Sequence, residues 1–574
     1  MMTFRSEDGV RHSMMLRAVC VCVLVAGIAL PLAAASRRPV KFHHGLVVTA
    51  DSLATSAGRD ILMEGGNAVD AAVAAGFVLA VTYPEAGNLG GGGFMLIRRG
   101  DGTAVMIDFR EKAPGAASRD MYLDSTGVPV PQRSLLGPLA AGVPGTVAGL
   151  LHALAAYGTK DRERVLRFAL QCAERGFTVD ERLAASFSAD WTELSRFPSS
   201  MRAFSRQGTP PAAGETLRQP DLAETLCLII ARGTDGFYAG PVAEKIVEEV
   251  ARNGGIMTAS DLAAYRPVER TPLRGTYRGY EILTASPPSA GGIALLQILN
   301  TLEQFDVRRL GWNSSRALHL FASACQRAFA DRSAFVGDPD AVAVPVDSLI
   351  TKAYAVGRFG GWDSVHAVHG DAITAGSPAG NHQTTHLCTA DQWGNVVSMT
   401  YTLNSTFGCK DVVEGAGFLL NNEMDDFSVK RGAPNVDGLP GGEPNSIAPG
   451  KRMVSSMCPT IVLKHGRPFM AVGARGGSRI PTAVTQIISN VVDHGMDIQE
   501  AVDAPRVHMQ WHPDTMEHDR RGLVDDVLRN LGSMGYNLKE VNWTARVEAL
   551  MIDSTSSYFL GGPDPRENGV ALGY

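Results

Sequence analysis

The sequence contains no H-E-x-x-H and no G-x-S-x-G. The usual signatures of zinc peptidases and of nucleophile-elbow serine hydrolases are therefore missing. Its eight cysteines form no C-x-x-C and no zinc-type spacing, which leaves no motif for a zinc module or a thioredoxin-like redox site. Basic residues are not in excess: 53 Lys and Arg face 59 Asp and Glu, a net charge of −6. The electrostatic face that nucleic-acid binding needs is thus lacking. No Gly-X-Y repeat or heptad array is present, so fibrous classes are excluded. Beyond the N-terminus no run is apolar enough to span a membrane.

What is present is the composition of a globular protein, 45% hydrophobic and 20% charged over 574 residues, enough for three or four domains or one large α/β unit. The N-terminus reads as an export signal. Arg11 and Arg17 precede an uncharged run from Ala18 to Leu30, followed by Pro31 and Ala33-Ala34-Ala35. A signal peptide over 1–35, cut after Ala35, is the expectation, with an uncleaved anchor as the alternative. A periplasmic or secreted protein follows, with no stable membrane span after signal removal. The six cysteines beyond the signal are scattered and are expected to be inert core thiols.

Helical patterning starts at Asp51 and stops at Glu64-Gly65-Gly66, and a second, buried helix is expected from Asn67 to Val81. Gly90 to Gly93 stand between that helix and a strand. A dinucleotide loop needs the reverse order, so a tight turn packed against an active site is the better reading. A strand is expected over 104–110, mainly helices over 135–335, and a loop over 366–383. Thr384 to Ala390 and Val396 to Leu403 read as a hairpin around Asp391–Asn395. A hairpin symmetric about Trp393 sets Thr384 opposite Thr402. A long Gly/Pro-rich stretch from Lys430 to Gly450 reads as a lid or a disordered loop. Phe469–Val472 forms a strand, and Gly476-Gly477-Ser478 joins it to a helix carrying Ile480, Val484, Ile487 and Val491. Strand, glycines and helix in that order suit an oxyanion hole, a bound anion or a plain turn.

Gln383-Thr384-Thr385-His386 lies where the loop meets the strand. A threonine hydroxyl is a poor nucleophile without a base, and an N-terminal threonine carries one in its own α-amine. By spacing alone these are ordinary strand threonines.

The conjunction of motifs says more. GGNAVDAAVA at 65–74, GNLGGGGFM at 87–95, DFREKAP at 108–114, QTTH at 383–386, MTYTLNSTFG at 399–408 and LLNNEMDDFS at 419–428 are joined by SSMCPT at 455–460, GGSRI at 476–480, APRVHMQW at 504–511 and DPR at 564–566. From about Gly45 to Tyr574 the sequence resembles the gamma-glutamyltransferase (gamma-glutamyltranspeptidase) family of N-terminal-nucleophile hydrolases. The resemblance implies a four-layer αββα sandwich made as one precursor. That precursor cuts itself between Gln383 and Thr384 into a large subunit, 36–383, and a small catalytic subunit, 384–574, which remain associated as a heterodimer in one structural unit.

It further implies Thr384 as the nucleophile, Thr402 as its hydrogen-bond partner, and Gly476 and Gly477 as the oxyanion-hole pair. Arg110, Ser455 and Ser456 match groups that hold a substrate α-carboxylate, and Asn404, Glu423 and Asp426 groups that hold its α-ammonium. Thr385 and His386 have no assigned step and are expected to be structural. The implied substrates are glutathione and other γ-glutamyl donors, with water, amino acids or peptides as acceptors. No metal and no cofactor is called for. Alternatives are a glutaryl/cephalosporin acylase or poly-γ-glutamate depolymerase on the same scaffold, or an uncleaved, non-catalytic binding protein. One departure stands out: where some relatives carry an aromatic gate in the lid, this sequence has Asp437. A less firm gate and appreciable hydrolysis are the expectation.

Overall fold

The computed structural model describes residues 37–373, 379–380, 384–553 and 556–574. The expected signal peptide and Gln383 lie outside the described residues. Residues 39–574 form one compact unit, built on two seven-stranded sheets.

In the first sheet the strand order is Val570–Gly573, Gly45–Thr49, Thr384–Asp391, Val396–Thr402, Gly92–Arg98, Ala104–Asp108 and Val268–Arg270. Every pairing is antiparallel. In the second it is Val40–Phe42, Phe559–Pro563, Arg546–Ile552, Arg467–Arg475, Thr460–Lys464, Tyr280–Thr284 and Leu273–Tyr277, again all antiparallel.

Side-chain alternation assigns the layers. Leu46 and Val48 point to a core shared with Ile461, Val472 and Val547 of the second sheet. Val47, Met95, Ile97 and Leu387 point the other way, into a core with the helix Ala68–Thr82. The helices Gly291–Leu302, Ser315–Phe335 and Ile480–Val492 share the core of the second sheet. The result is a four-layer αββα sandwich with both faces of each sheet covered.

The helix Ala68–Thr82 shows how composition sets position. All of its residues are buried, as a chain of Ala and Val with no polar face requires. Asn67 caps it by accepting from Val69 and Asp70 N–H, and the Asp70 carboxylate returns to the Asn67 N–H. That is a capping box. The preceding helix, Ser52–Met63, starts from an Asp51 cap.

Two corrections to the sequence reading emerge. The strand expected over 104–110 ends at Asp108, which lets Arg110 leave the sheet plane. The mainly helical stretch 135–335 also holds the strands Val268–Arg270, Leu273–Tyr277 and Tyr280–Thr284, which close an edge of each sheet. The stretch expected as a lid or a disordered loop is ordered around Asp437–Gly438, which pairs antiparallel to Ala379–Gly380. The six cysteines are unpaired and four are buried; Cys227 is exposed.

Candidate active site

The hairpin Thr384–Thr402 sets the centre of the site. Its register is the symmetric one, with Thr384 opposite Thr402 and His386 opposite Thr400. Thr384 Oγ1 lies 3.4 Å from Thr402 Oγ1, and Asn404 N–H donates to Thr402 Oγ1 at 2.8 Å. Asn404 adopts φ +78°, a left-handed conformation that asparagine tolerates. Its side-chain amide donates to the Asn422 carbonyl at 2.9 Å, tying the hairpin to the segment that carries Glu423 and Asp426.

The glycine run is a tight packing site, as expected. A Cβ on Gly91 would stand 2.0 Å from the Thr402 carbonyl oxygen, and one on Gly90 2.1 Å from that of Leu419. Asn421 donates to the carbonyls of Gly90 and Gly142, both at 2.8 Å, and accepts from Glu423 N–H at 3.0 Å. The 3-10 turn Glu423–Asp426 is thus fastened to the first sheet.

Arg110 points into that turn. Its backbone N–H donates to Asp108 at 2.9 Å, and its carbonyl accepts from the Tyr265 hydroxyl at 2.9 Å. The guanidinium is fully buried and donates to Glu423 and to Asp426, and also to the carbonyls of Met453 and Val454. Burial opposes its charge, but Glu423, Asp426 and Glu111 outweigh it and raise its pKa. Burial, then repulsion from Glu423, pushes the Glu111 carboxyl well above the ordinary carboxylate range.

Ser455 and Ser456 close the far wall. Ser455 is fixed through its N–H to the Pro288 carbonyl and its own carbonyl to Ala290 N–H. Met457 N–H donates to Ser455 Oγ at 3.1 Å, and Arg332 donates to Ser456 Oγ at 3.3 Å. Arg332 and Glu111 were not singled out from the sequence: the first lies mid-chain in a helix with no local motif, and the second reads only as a neighbour of Arg110.

Gly476 and Gly477 adopt φ +133° and +58°, which only glycine does readily. Gly477 lines the cavity, and Gly476 backs onto Ala545. Thr384, Thr402, Arg110, Asn404, Glu423, Asp426, Ser455, Ser456 and Gly477 all face one cavity of about 20 Å³. Residues spread over almost 370 positions of sequence are brought together there.

Asp437 also lines this cavity and is buried. Its carboxylate accepts from Ser478 N–H at 2.9 Å, and its carbonyl accepts from Gln510 at 3.2 Å. Neighbouring lid residues are fastened too: Asn435 donates to Asp426 at 3.1 Å, and Val436 N–H to Asp425 at 2.7 Å. The expected loose gate is therefore not observed. Polar contacts thus hold the stretch that carries Asp437 against the site.

His386 is buried between the sheets. Its Nδ1 lies 2.8 Å from Thr400 Oγ1 and its Nε2 3.2 Å from Cys388 Sγ. Burial lowers its pKa to about 3. It is not among the residues facing the cavity, which accords with a structural histidine.

The family model for gamma-glutamyltranspeptidase matches residues 54–574. A glutathione hydrolase proenzyme from Escherichia coli (strain K12) is 44% identical over 97% of this chain and 99% of its own. An acylase ACY 1 proenzyme from Pseudomonas sp. (strain SE83) is 41% identical over 82% of this chain and 83% of its own. Among solved structures, a cephalosporin acylase from Bacillus halodurans superposes with a TM-score of 0.84 at 27% identity, covering 95% of this chain and 98% of that one. With this sandwich, this cavity and these relatives, the chain belongs to the gamma-glutamyltranspeptidase family of enzymes.

Proposed function

We propose that the chain is an autoprocessed γ-glutamyltransferase and glutathione hydrolase whose nucleophile is Thr384. Cleavage between Gln383 and Thr384 frees the Thr384 α-amine, which has a pKa near 8 and can take the hydroxyl proton. Thr384 Oγ1 then attacks the γ-carbonyl carbon of the donor. The carbon–nitrogen bond breaks, the proton passes to the departing amine, and a γ-glutamyl ester remains. Water or an acceptor amine attacks that ester and restores the hydroxyl. Thr402 holds Thr384 Oγ1, and the Gly476 and Gly477 N–H groups stabilise the oxyanion.

The observation that carries the reading is the charge arrangement around one hydroxyl. A γ-glutamyl group presents an anion and a cation on one carbon. The cavity is lined by Arg110, Ser455 and Ser456, which suit the anion, and by Glu423, Asp426 and Asn404, which suit the cation; Arg110 itself is paired with Glu423 and Asp426. The cavity of about 20 Å³ has room for little more than a water. Donor binding has to part Arg110 from Glu423 and Asp426, replacing each partner by one of the same sign. Such an exchange keeps every buried charge paired.

The glutaryl acylase reading fits less well. A glutaryl group lacks the ammonium, which would leave Glu423 and Asp426 without a cation in exchange for Arg110. Export with removal of residues 1–35 completes the proposal. Among the described residues no helix is long and apolar enough to cross a membrane.

The test is Thr384→Ala, assayed with γ-glutamyl-p-nitroanilide beside glutaryl-p-nitroanilide. The expected variant is a single uncut chain releasing no nitroaniline, while the wild type prefers the γ-glutamyl donor by tenfold or more, on the scale of one buried charge pair. A variant that still splits, or a wild type that prefers the glutaryl donor, contradicts the proposal.

A further inference from the structure

Arg332 stands behind the carboxylate wall of the site, near the end of the helix Ser315–Phe335. It is buried, with 7% of its surface exposed. Its guanidinium donates to Ser456 Oγ at 3.3 Å, and its Nε has no hydrogen-bond partner among the described residues. An arginine this far from water normally faces a carboxylate squarely. Here Asp426 and Asp437 act on it only through their field, with Arg110 opposing them, and burial is the largest influence on its pKa, lowering it. Arginine nevertheless remains charged in proteins. Its side-chain hydrogen bond is thus to the Ser456 hydroxyl, on a wall that Arg110 also lines.

The direction of the hydrogen bond matters. A guanidinium has donors only, so Ser456 Oγ must accept. The hydroxyl proton of Ser456 is then left to point elsewhere, as a donor. The backbone does the same for Ser455, whose Oγ accepts from Met457 N–H at 3.1 Å. Both serines face the cavity. Each is therefore held by a donor from behind, with its own proton available to an anion in front.

We propose that Arg332 is a positioning residue for the donor's α-carboxylate, acting through Ser456 by fixing that hydroxyl as a donor. This rests on the γ-glutamyl reading of the site and deepens it.

The experiment compares two donors across variants of the processed enzyme. γ-Glutamyl-p-nitroanilide carries the α-carboxylate; 4-aminobutanoyl-p-nitroanilide lacks it and keeps the amine. For Arg332→Met the expected result is a KM for the γ-glutamyl donor raised roughly ten- to a hundredfold, the range of one hydrogen bond to a charged group. kcat should change far less, and kcat/KM for the 4-aminobutanoyl donor should not move. Ser456→Ala should give the same selective loss, and the double variant should be no worse than the poorer single one, because the two residues act as one unit. Arg332→Lys, which keeps charge and most of the length, should recover part of the KM. It also serves if Arg332→Met does not mature. Equal losses on both donors, in either variant, overturn the proposal, as do additive effects with Ser456→Ala. Wild-type release from the γ-glutamyl donor tests the donor reading separately, so the two failures are distinguishable.

Discussion

At the scale of single residues, the site depends on hydroxyl groups held by N–H donors. Thr402 Oγ1 accepts from Asn404 N–H and faces Thr384 Oγ1. Thr402→Val keeps the shape and removes that contact. Its expected effect is a loss of about tenfold in kcat with γ-glutamyl-p-nitroanilide, the value of one hydrogen bond. Unchanged kcat would remove Thr402 from the account. His386 is a second case. Its pKa is depressed to about 3 by burial, so the folded protein holds it neutral. A histidine in the unfolded chain takes a proton near pH 6.5. Stability from this residue is therefore intact above about pH 6.5 and is lost as pH falls towards about 3. Imidazole nitrogen NMR at pH 5 should find His386 neutral in the folded protein; a protonated ring there would contradict the burial argument.

At the scale of elements, the central hairpin was legible in its register and to within one residue in its strand ends. An Asp-Gln-Trp-Gly-Asn turn between two β-rich runs set both strands and their register, and the structure has Thr384 opposite Thr402. The glycine run was legible as a turn against the site, and its reason is now specific. Because a Cβ on Gly91 would overlap the Thr402 carbonyl, Gly91→Ala must displace the hairpin end. The expected outcome is destabilisation by about 1–3 kcal/mol, the range for overpacking a close-packed site, with slowed splitting on a denaturing gel. Wild-type splitting and an unchanged Tm would show that the contact relaxes freely. Less was legible where short edge strands interrupt helices. Val268–Arg270 and Leu273–Tyr277 have only three and five residues and mixed exposure, so their pattern is too brief for a period to appear. The lid was legible as a long loop, but not its fastening. Asp437 meets Ser478 N–H across 41 positions of sequence, and no local pattern reports such a contact. The same holds for Arg332, whose partner Ser456 lies 124 positions away. The family resemblance, by contrast, supplied site residues that periodicity could not.

At the scale of the whole molecule, the proposed cut falls between strands that remain interleaved. In the first sheet, Thr384–Asp391 lies between Gly45–Thr49 and Val396–Thr402, and Gly92–Arg98 pairs with the far side of the hairpin. The second sheet likewise mixes Tyr280–Thr284 with Thr460–Lys464. Strands from both sides of residue 384 thus share each sheet and both buried cores. Cleavage opens one peptide bond without exposing that interior, so the two fragments are expected to stay together without a covalent link. Co-elution on a sizing column under native conditions, and separation only in denaturant, checks this; dissociation of the fragments in plain buffer would contradict it. The central claim, that a threonine becomes reactive by heading its own chain, is tested most directly by N-terminal sequencing of the active protein. The account predicts two fragments, the smaller beginning Thr384-Thr385-His386. An active enzyme in which no fragment begins at Thr384 would contradict it.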